Sequence, residues 1–445
     1  MKRSYDMRLL LLGWILLLSA CNAPQAGALT PSAETTSLQT TSTPVAHLET
    51  LAPSPTQTAS PSAAPSPTTG PTSTPGPTNT PVAAGQKIKI GSVHMLDVAN
   101  GWGVGNYNGE INDIFRTQDG GLTWKVVTPP QAAGAGLSAV PFFLDAQRGW
   151  VTYTAQPGGT PAKDALVWRT SDGGSTWQSV KMQTSAMNME FFAPGQIGFS
   201  DTQNGWMLVH MGVGMMHDYV SIWKTSDGGA SWNVVVDPDK DNLPMSCYKN
   251  SLWFRDPQHG FLAGSCGGVQ KGLFMYATAD GGATWQALNL PAPAGHADLF
   301  TSDNIMNDGE GLVFKNAQLG YFLVRSHFTN AKTISGWLYL TRDGGQTWKP
   351  EPLPTGWGSL DFWDADTGWF LGASAADSFE GTRVFSTADG GTAWKGLTSV
   401  NWTGAMQFVD RRNGWVVAKA GNATALVRTR DGGLTWLLLN PLTAK

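Results

Sequence analysis

Thr117-Gln118-Asp119-Gly120-Gly121-Leu122-Thr123-Trp124 is one of seven copies of a single phrase, T-x-D-G-G-x-[T/S/A]-W. Its Asp recurs at Asp119, Asp172, Asp227, Asp280, Asp343, Asp389 and Asp431. The Trp follows five residues later, at Trp124, Trp177, Trp232, Trp285, Trp348, Trp394 and Trp436. Successive copies lie 42 to 63 residues apart, and self-similarity of this kind marks a repeat architecture. Every position has a structural use. The carboxylate can accept N–H groups just downstream and close a turn. The Gly pair adopts positive φ without steric cost, and the Trp brings apolar surface to cover the hairpin. The copy at Asp389 has Ala393 where the others have Thr or Ser, so that turn should keep its shape with one hydrogen bond fewer.

A second phrase, apolar-x-D-x-x-x-G-aromatic, precedes each copy by 21 to 27 residues. It runs through Asp97-Gly101-Trp102, Asp145-Gly149-Trp150, Asp201-Gly205-Trp206, Asp256-Gly260-Phe261, Asn316-Gly320-Tyr321, Asp364-Gly368-Trp369 and Asp410-Gly414-Trp415. Short apolar runs bounded by Gly and Asp read as strands. In the first unit these are Val93–Leu96, the run from Gly101, Ile111–Thr117 and the run carrying Trp124. Four strands per unit and seven units make an all-β, seven-bladed propeller. Whole blades run from Val93 to Leu439, and Lys87–Ile90 is available to complete the last blade as an added strand. Twelve of the 20 Trp fill the two repeated aromatic positions, which assigns most of them to the core. The two turn types fall at one end of the blades. The irregular B–C turns and blade connections fall at the other, where variable loops on a rigid scaffold usually bind.

The first phrase resembles the Asp box, or BNR repeat, of sialidases, xyloglucanases, sortilin-type receptors and photosystem II stability and assembly factors. The combination with G-W-x-V-G, clearest at Gly101-Trp102-Gly103-Val104-Gly105, resembles the last of these families from about Lys87 to the C-terminus. That resemblance implies a non-catalytic propeller that binds newly made membrane-protein subunits, and cyanobacterial members are lipoproteins. Its photosynthetic members meet their partner through clustered Arg; here Arg is sparse and scattered along the sequence. The sialidase pattern needs an Arg triad and a Tyr–Glu pair, and no F-R-I-P-like entry is present. A xyloglucanase-like hydrolase needs two carboxylates across a cleft, and the known enzymes pair two propellers in a longer chain. A cell-surface carbohydrate-binding protein or glycoside hydrolase is therefore the alternative function.

The chain begins with Lys2, Arg3 and Arg8, then the apolar run Leu9–Leu18, which is too short to span a bilayer. It continues into Leu18-Ser19-Ala20-Cys21, which resembles a bacterial lipobox. Residues 1–20 read as a lipoprotein signal peptide and Cys21 as the lipidation site, on an extracytoplasmic, membrane-anchored protein. Residues 21–85 hold 12 of the 27 Pro among Thr, Ser and Ala and read as a disordered tether. As a flexible coil it would reach about 45 Å. The propeller occupies 86–445. From Cys21 onward there are 26 basic and 32 acidic residues, a balance that excludes a nucleic-acid partner.

Two further Cys, Cys247 and Cys266, bracket a hairpin that turns near Asp256–His259. In an oxidising compartment they are expected to pair, with two separate buried thiols as the alternative. No catalytic constellation, cofactor motif or metal site is read: G-x-S-x-G, Walker A and H-E-x-x-H are all missing. The irregular end supplies the candidate binding face. The longest connection, Asn289 to Gly311, carries His296, Asp298, Asp303, Asp308 and Glu310, and reads as a solvated insertion or a partner loop. A Met-rich B–C turn from His210 to Asp218 holds Met211, Met215, Met216 and His217, with Met182, Met187 and Met189 upstream. Thioether and imidazole together suit copper; a soft apolar loop is the simpler reading.

Overall fold

The computed structural model describes residues 83–444 except 108–111, 131–136, 156–165, 183–192, 215–216, 239, 241–242, 267–272, 302–304, 329–333 and 376–378. Within it the first blade is an antiparallel meander of β1 (Lys89–Met95), β2 (Gly101–Asn106), β3 (Asp113–Thr117) and β4 (Thr123–Val126). The innermost strands of blades 2 to 7 are Leu137–Phe143, Ala193–Phe199, Tyr248–Phe254, Ile305–Phe314, Trp357–Phe362 and Met406–Phe408. Each is followed by three more strands, so the fold is an all-β, seven-bladed propeller with four-stranded blades.

The two phrases account for the local geometry. In every copy the leading Thr hydroxyl donates to the Asp carboxylate at 2.7 to 2.9 Å. In six copies the second hydroxyl donates to the other carboxylate oxygen at 2.5 to 2.7 Å. Ala393 keeps only its backbone N–H on Asp389, at 2.9 Å, as the substitution implied. The Gly pairs have positive φ, 76° and 94° at Gly120 and Gly121. The first Gly then donates to the third residue of the neighbouring D-x-x-x-G turn. Gly120 to Ala99 at 2.8 Å begins a series that ends with Gly432 to Arg412 at 2.9 Å. This places both turns at one end of each blade.

The Gly closing D-x-x-x-G has a different reason. The last residue of the preceding strand lies across it, Phe in six blades and Met95 in the first. A Cβ there would stand 2.4 to 2.8 Å from that side chain. The aromatic at the next position turns outward into the following blade. Trp150 donates to Gly228 O at 2.9 Å and Trp369 to Gly432 O at 2.8 Å. The core consequently lies between blades, in clusters such as Trp150, Ile197, Phe199 and Met207.

Side chains also staple the inner strands. Gln407 of blade 7 accepts from Met95 N at 2.6 Å and donates to Met95 O at 2.9 Å, imitating a strand partner for blade 1. Ser251 accepts from Leu312 N, and Gln196 from Leu252 N.

Ring closure does not take the route that Lys87–Ile90 offered. Lys89 and Ile90 belong to β1 and pair with β2, so they do not complete blade 7. Instead the C-terminal strand Leu442–Thr443 lies parallel to β4, with Leu442 opposite Thr123, and adds a fifth strand to blade 1. Thr443 also bonds Gly85, Gln86 and Ala83, so the start of the described chain is held against its end. The physical reason is that β1 starts four residues earlier than the phrase-bounded run, at Lys89, and already uses this segment.

Candidate functional site

The inner strands surround a cavity of about 750 Å³ on the propeller axis, at the end that carries the regular turns. Strand alternation decides what faces it. His94 of β1, Trp253 and Arg255 of blade 4, Lys315 of blade 5, Asp361 of blade 6 and Gln407 of blade 7 all line it. Phe142 contributes an apolar wall.

Asp361 is the sole carboxylate among the described lining residues. Its Oδ1 accepts Lys315 Nζ at 2.8 Å and the Tyr321 hydroxyl at 3.0 Å, and its Oδ2 accepts Phe408 N at 2.6 Å. One carboxylate thus joins blades 5, 6 and 7. Burial, and then the Asp361 charge, push the Tyr321 phenol well above its usual range, so it remains a donor. His94 is exposed to the channel, while the surrounding inner strands keep bulk water from much of the ring's environment. That enclosure, reinforced by the Lys315 charge, lowers its pKa to about 4 and leaves the imidazole neutral. Such a cavity offers hydrogen bonds, one ion pair and aromatic wall. It does not offer two free carboxylates facing each other.

A second feature escaped the sequence reading. Basic residues reach from one blade to a carbonyl in the next blade's D-x-x-x-G turn. Lys224 Nζ donates to Pro257 O at 2.5 Å, Arg342 Nη2 to Ala365 O at 2.8 Å and Arg428 Nη2 to Val98 O at 3.3 Å. Nothing in the spacing marks this, because the partner is 23 to 330 residues away. The Arg that look scattered in sequence are partly gathered by the fold. Arg411, Arg412 and Arg430 are exposed on blade 7, where Arg412 Nε meets Arg430 O at 3.3 Å.

The candidate face at the irregular end takes a different form from the one expected. The Met-rich segment is mostly strand, Gly205–Gly214 paired with His217–Thr225. Met211 is buried, and Met182 sits in the core between blades 2 and 3. His217 is exposed and stacks near Tyr219, with ring centroids 6.1 Å apart. His210 Nδ1 meets Asp218 Oδ1 at 2.8 Å, which fixes the orientation of the ring. Met187, Met189, Met215 and Met216 lie outside the described residues.

Next to this hairpin, Lys249 is fully buried, and its ammonium donates to the carbonyls of Asp218, Met245 and Ser246 at 2.8 to 3.0 Å. Burial lowers its pKa to about 8, against the opposing pull of Asp218. Cys247 and Cys266 are joined as a disulfide beside it.

In the long connection, Asp298 is exposed, and Asp303 lies outside the described residues. The connection is shorter than expected because the inner strand of blade 5 already begins at Ile305. Asp308 and Glu310 are strand residues opposite Arg325 and Leu323. Extra pairing decided this, since Asp308 also meets Ser265 of blade 4. The structure does not bring these acidic residues to the Met-rich hairpin's Met211 and His217 through any bond among the described residues. Cys21 and the signal and tether segments up to residue 82 also lie outside the described residues.

No family model matches the chain. Over 211 residues it is 27% identical to photosystem II assembly lipoprotein Ycf48 of Synechococcus sp. (strain CC9902). The chain is weakly homologous to a photosystem II assembly lipoprotein. The match takes in 47% of this chain and 50% of the relative, so the chain spans about half the length of the curated relative it matches. Among solved structures it is similar to the GH74 xyloglucanase of Xanthomonas campestris, with a TM-score of 0.51 and 14% identity. That likeness covers 82% of this chain and 55% of the xyloglucanase, and it bears on the propeller fold alone.

Proposed function

We propose that this protein is a lipid-anchored, extracytoplasmic propeller that binds a membrane-protein subunit without catalysis and assists its assembly. The signal sequence ending at Cys21, the tether of residues 21–85 and the propeller of 86–445 supply anchor, reach and binding body. The observation that carries the reading is the sequence kinship with an assembly lipoprotein. The site chemistry agrees with it, because Asp361 is neutralised by Lys315 and has no second carboxylate across the cavity from it among the described lining residues. Glycoside cleavage by the usual routes requires such a pair.

The test is cross-linking in native membranes, followed by affinity capture of the tagged full-length chain. Recovery of an integral membrane subunit is expected. Capture of only soluble or abundant bystander proteins would overturn the proposal.

A second reading is carbohydrate binding in the axial cavity. It is favoured by the Trp253 and Phe142 rings beside polar His94 and Gln407. Release of reducing sugar from a β-glucan panel, or saturable glycan binding lost in W253A, would favour it over the first.

A further inference from the structure

The outer rim of blades 7 and 1 differs in character from the rest of the molecule. Nine large hydrophobic side chains are exposed among the described residues, and five of them, Val98, Leu122, Leu434, Leu437 and Leu438, belong to these two adjacent blades. Leu437 and Leu438 are 62% and 55% exposed on the outermost strand of blade 7. Leu434 and Leu122 occupy the variable position of the D-G-G turn in blades 7 and 1. The other five copies have Ser175, Ala230, Ala283, Gln346 and Thr392 there.

The chain itself makes this rim continuous. It leaves Leu438 and crosses to Leu442–Thr443 on the edge of blade 1, where Leu442 N donates to Leu122 O at 3.1 Å.

Two independent observations indicate what covers the rim. The first is the exit of the N-terminal segment. Ala83 and Gly85 are bonded to Thr443 on this same edge, so the chain leading back to Cys21 leaves the propeller here. The second is charge. Lys87, Lys89, Lys125 and Arg430 are exposed around the seam and form no ion pair among the described residues. The nearby Asp119 and Asp431 stay ionised within their own turns and offset part of this charge. A leucine-bearing edge with four exposed cations thus sits on a chain whose formal net charge is −4.

We propose that this rim rests on an anionic lipid surface, with Leu434, Leu437 and Leu438 inserted at the headgroup boundary and the surrounding Lys and Arg on lipid phosphates. Exposed leucines and unpaired cations are the two elements of reversible interfacial binding. The contact would lay the propeller edge-on to the membrane and turn its axis roughly parallel to the surface. The regular and irregular ends would then both be open to a neighbouring membrane protein. The inference rests on the membrane-anchored reading for its biological sense, yet its physical content is independent of lipidation.

The experiment uses the mature chain from residue 21 carrying C21S, so that neither the apolar leader nor the acylated thiol is present. It is mixed with vesicles of phosphatidylcholine alone or with about 30% phosphatidylglycerol, and sedimented. Binding to the anionic vesicles is expected, weakening as salt rises. L437S/L438S should reduce the partition coefficient about tenfold, since two exposed leucines lose their apolar burial in lipid. These side chains are exposed, so the variant should retain its melting temperature, and near-ultraviolet circular dichroism checks that it is folded. Failure of the anchor-free chain to bind anionic vesicles, or equal binding by L437S/L438S, would overturn the proposal. If the rim variant instead loses a captured protein partner while neither chain binds vesicles, the rim is a protein interface and the lipid inference falls. Membrane-subunit capture is scored separately, so the assembly reading stands or falls on its own result.

Discussion

The indole N–H of Trp415, in the seventh blade, donates to the carbonyl of Gly120, in the first, at 3.0 Å across 295 residues of sequence. Arg428 lies over the same indole, 4.5 Å from its centroid, and reaches Val98 O in the first blade. Gln407 and the Leu442–Thr443 strand complete the seam. The ring is thus closed by side chains from blade 7 and backbone from the C-terminus, all converging on blade 1.

Replacing Trp415 by Phe should open this seam. The side chain is fully buried, and the change leaves Gly120 O without its donor and a void where the indole was. A loss of about 2 kcal/mol is expected from the unpaired carbonyl and lost packing. Urea denaturation followed by tryptophan fluorescence measures it. W363F, at an exposed Trp, is the control and should be neutral.

Ala393→Thr should raise the melting temperature. The turn around Asp389 already has the shape of the other six, and only the hydroxyl is missing. Conversely, Thr347→Ala removes the bond to Asp343 Oδ2 and should cost about 1 kcal/mol. If A393T melted at or below the parent temperature, the turn-closing role of this hydroxyl would be wrong.

Acid should destabilise the protein in two windows. His94 titrates at about 4 when folded and 6.5 when unfolded, because burial and then Lys315 disfavour its charged form. Between those values the unfolded chain binds more protons, so stability falls as pH drops from 6.5 to 4. His94→Gln should flatten that part of the profile.

The second window belongs to the turn carboxylates. Asp280 is held at about 2 by hydrogen bonds from Thr284 and Thr278. Asp343 is held there by Thr347 and Thr341 against opposing desolvation. Their stabilisation is complete above the unfolded value of 3.8 and is lost as pH falls toward 2. Denaturation midpoints measured from pH 7 to pH 2 test both windows.

Cys247→Ser/Cys266→Ser should cost roughly 3 kcal/mol, the loop entropy released for a separation of 19 residues. A reductant should reproduce the loss in the parent and have no effect on the double variant. Hydrogen exchange should rise first around Met245–Lys249, whose carbonyls hold the Lys249 ammonium.

Much of the fold was legible in the sequence, and the reason is locality. The carboxylate of Asp119 bonds residues two to four positions away, so a linear phrase contains its own turn. The Gly of D-x-x-x-G answers to a side chain six residues earlier, as Gly149 does to Phe143. The Cys pair bracketed one hairpin and could be anticipated in the same way. The site was not legible. His94, Lys315, Asp361 and Gln407 lie on four different blades, each looking like an ordinary polar residue beside a strand end. In the Met-rich segment the sequence showed the residue types but not their burial, which places Met211 in the core and His210 beside Asp218.

The sequence by itself determined the blade count, the four-strand unit and the shared end of the two turns, because those features depend on contacts within one repeat. Only the tertiary structure decided how the ring shuts, which polar groups meet on the axis and that the exposed leucines share one rim. Those features depend on the curvature accumulated over seven blades, which brings Trp415 to Gly120 and Thr443 to Ala83 although no local pattern links them.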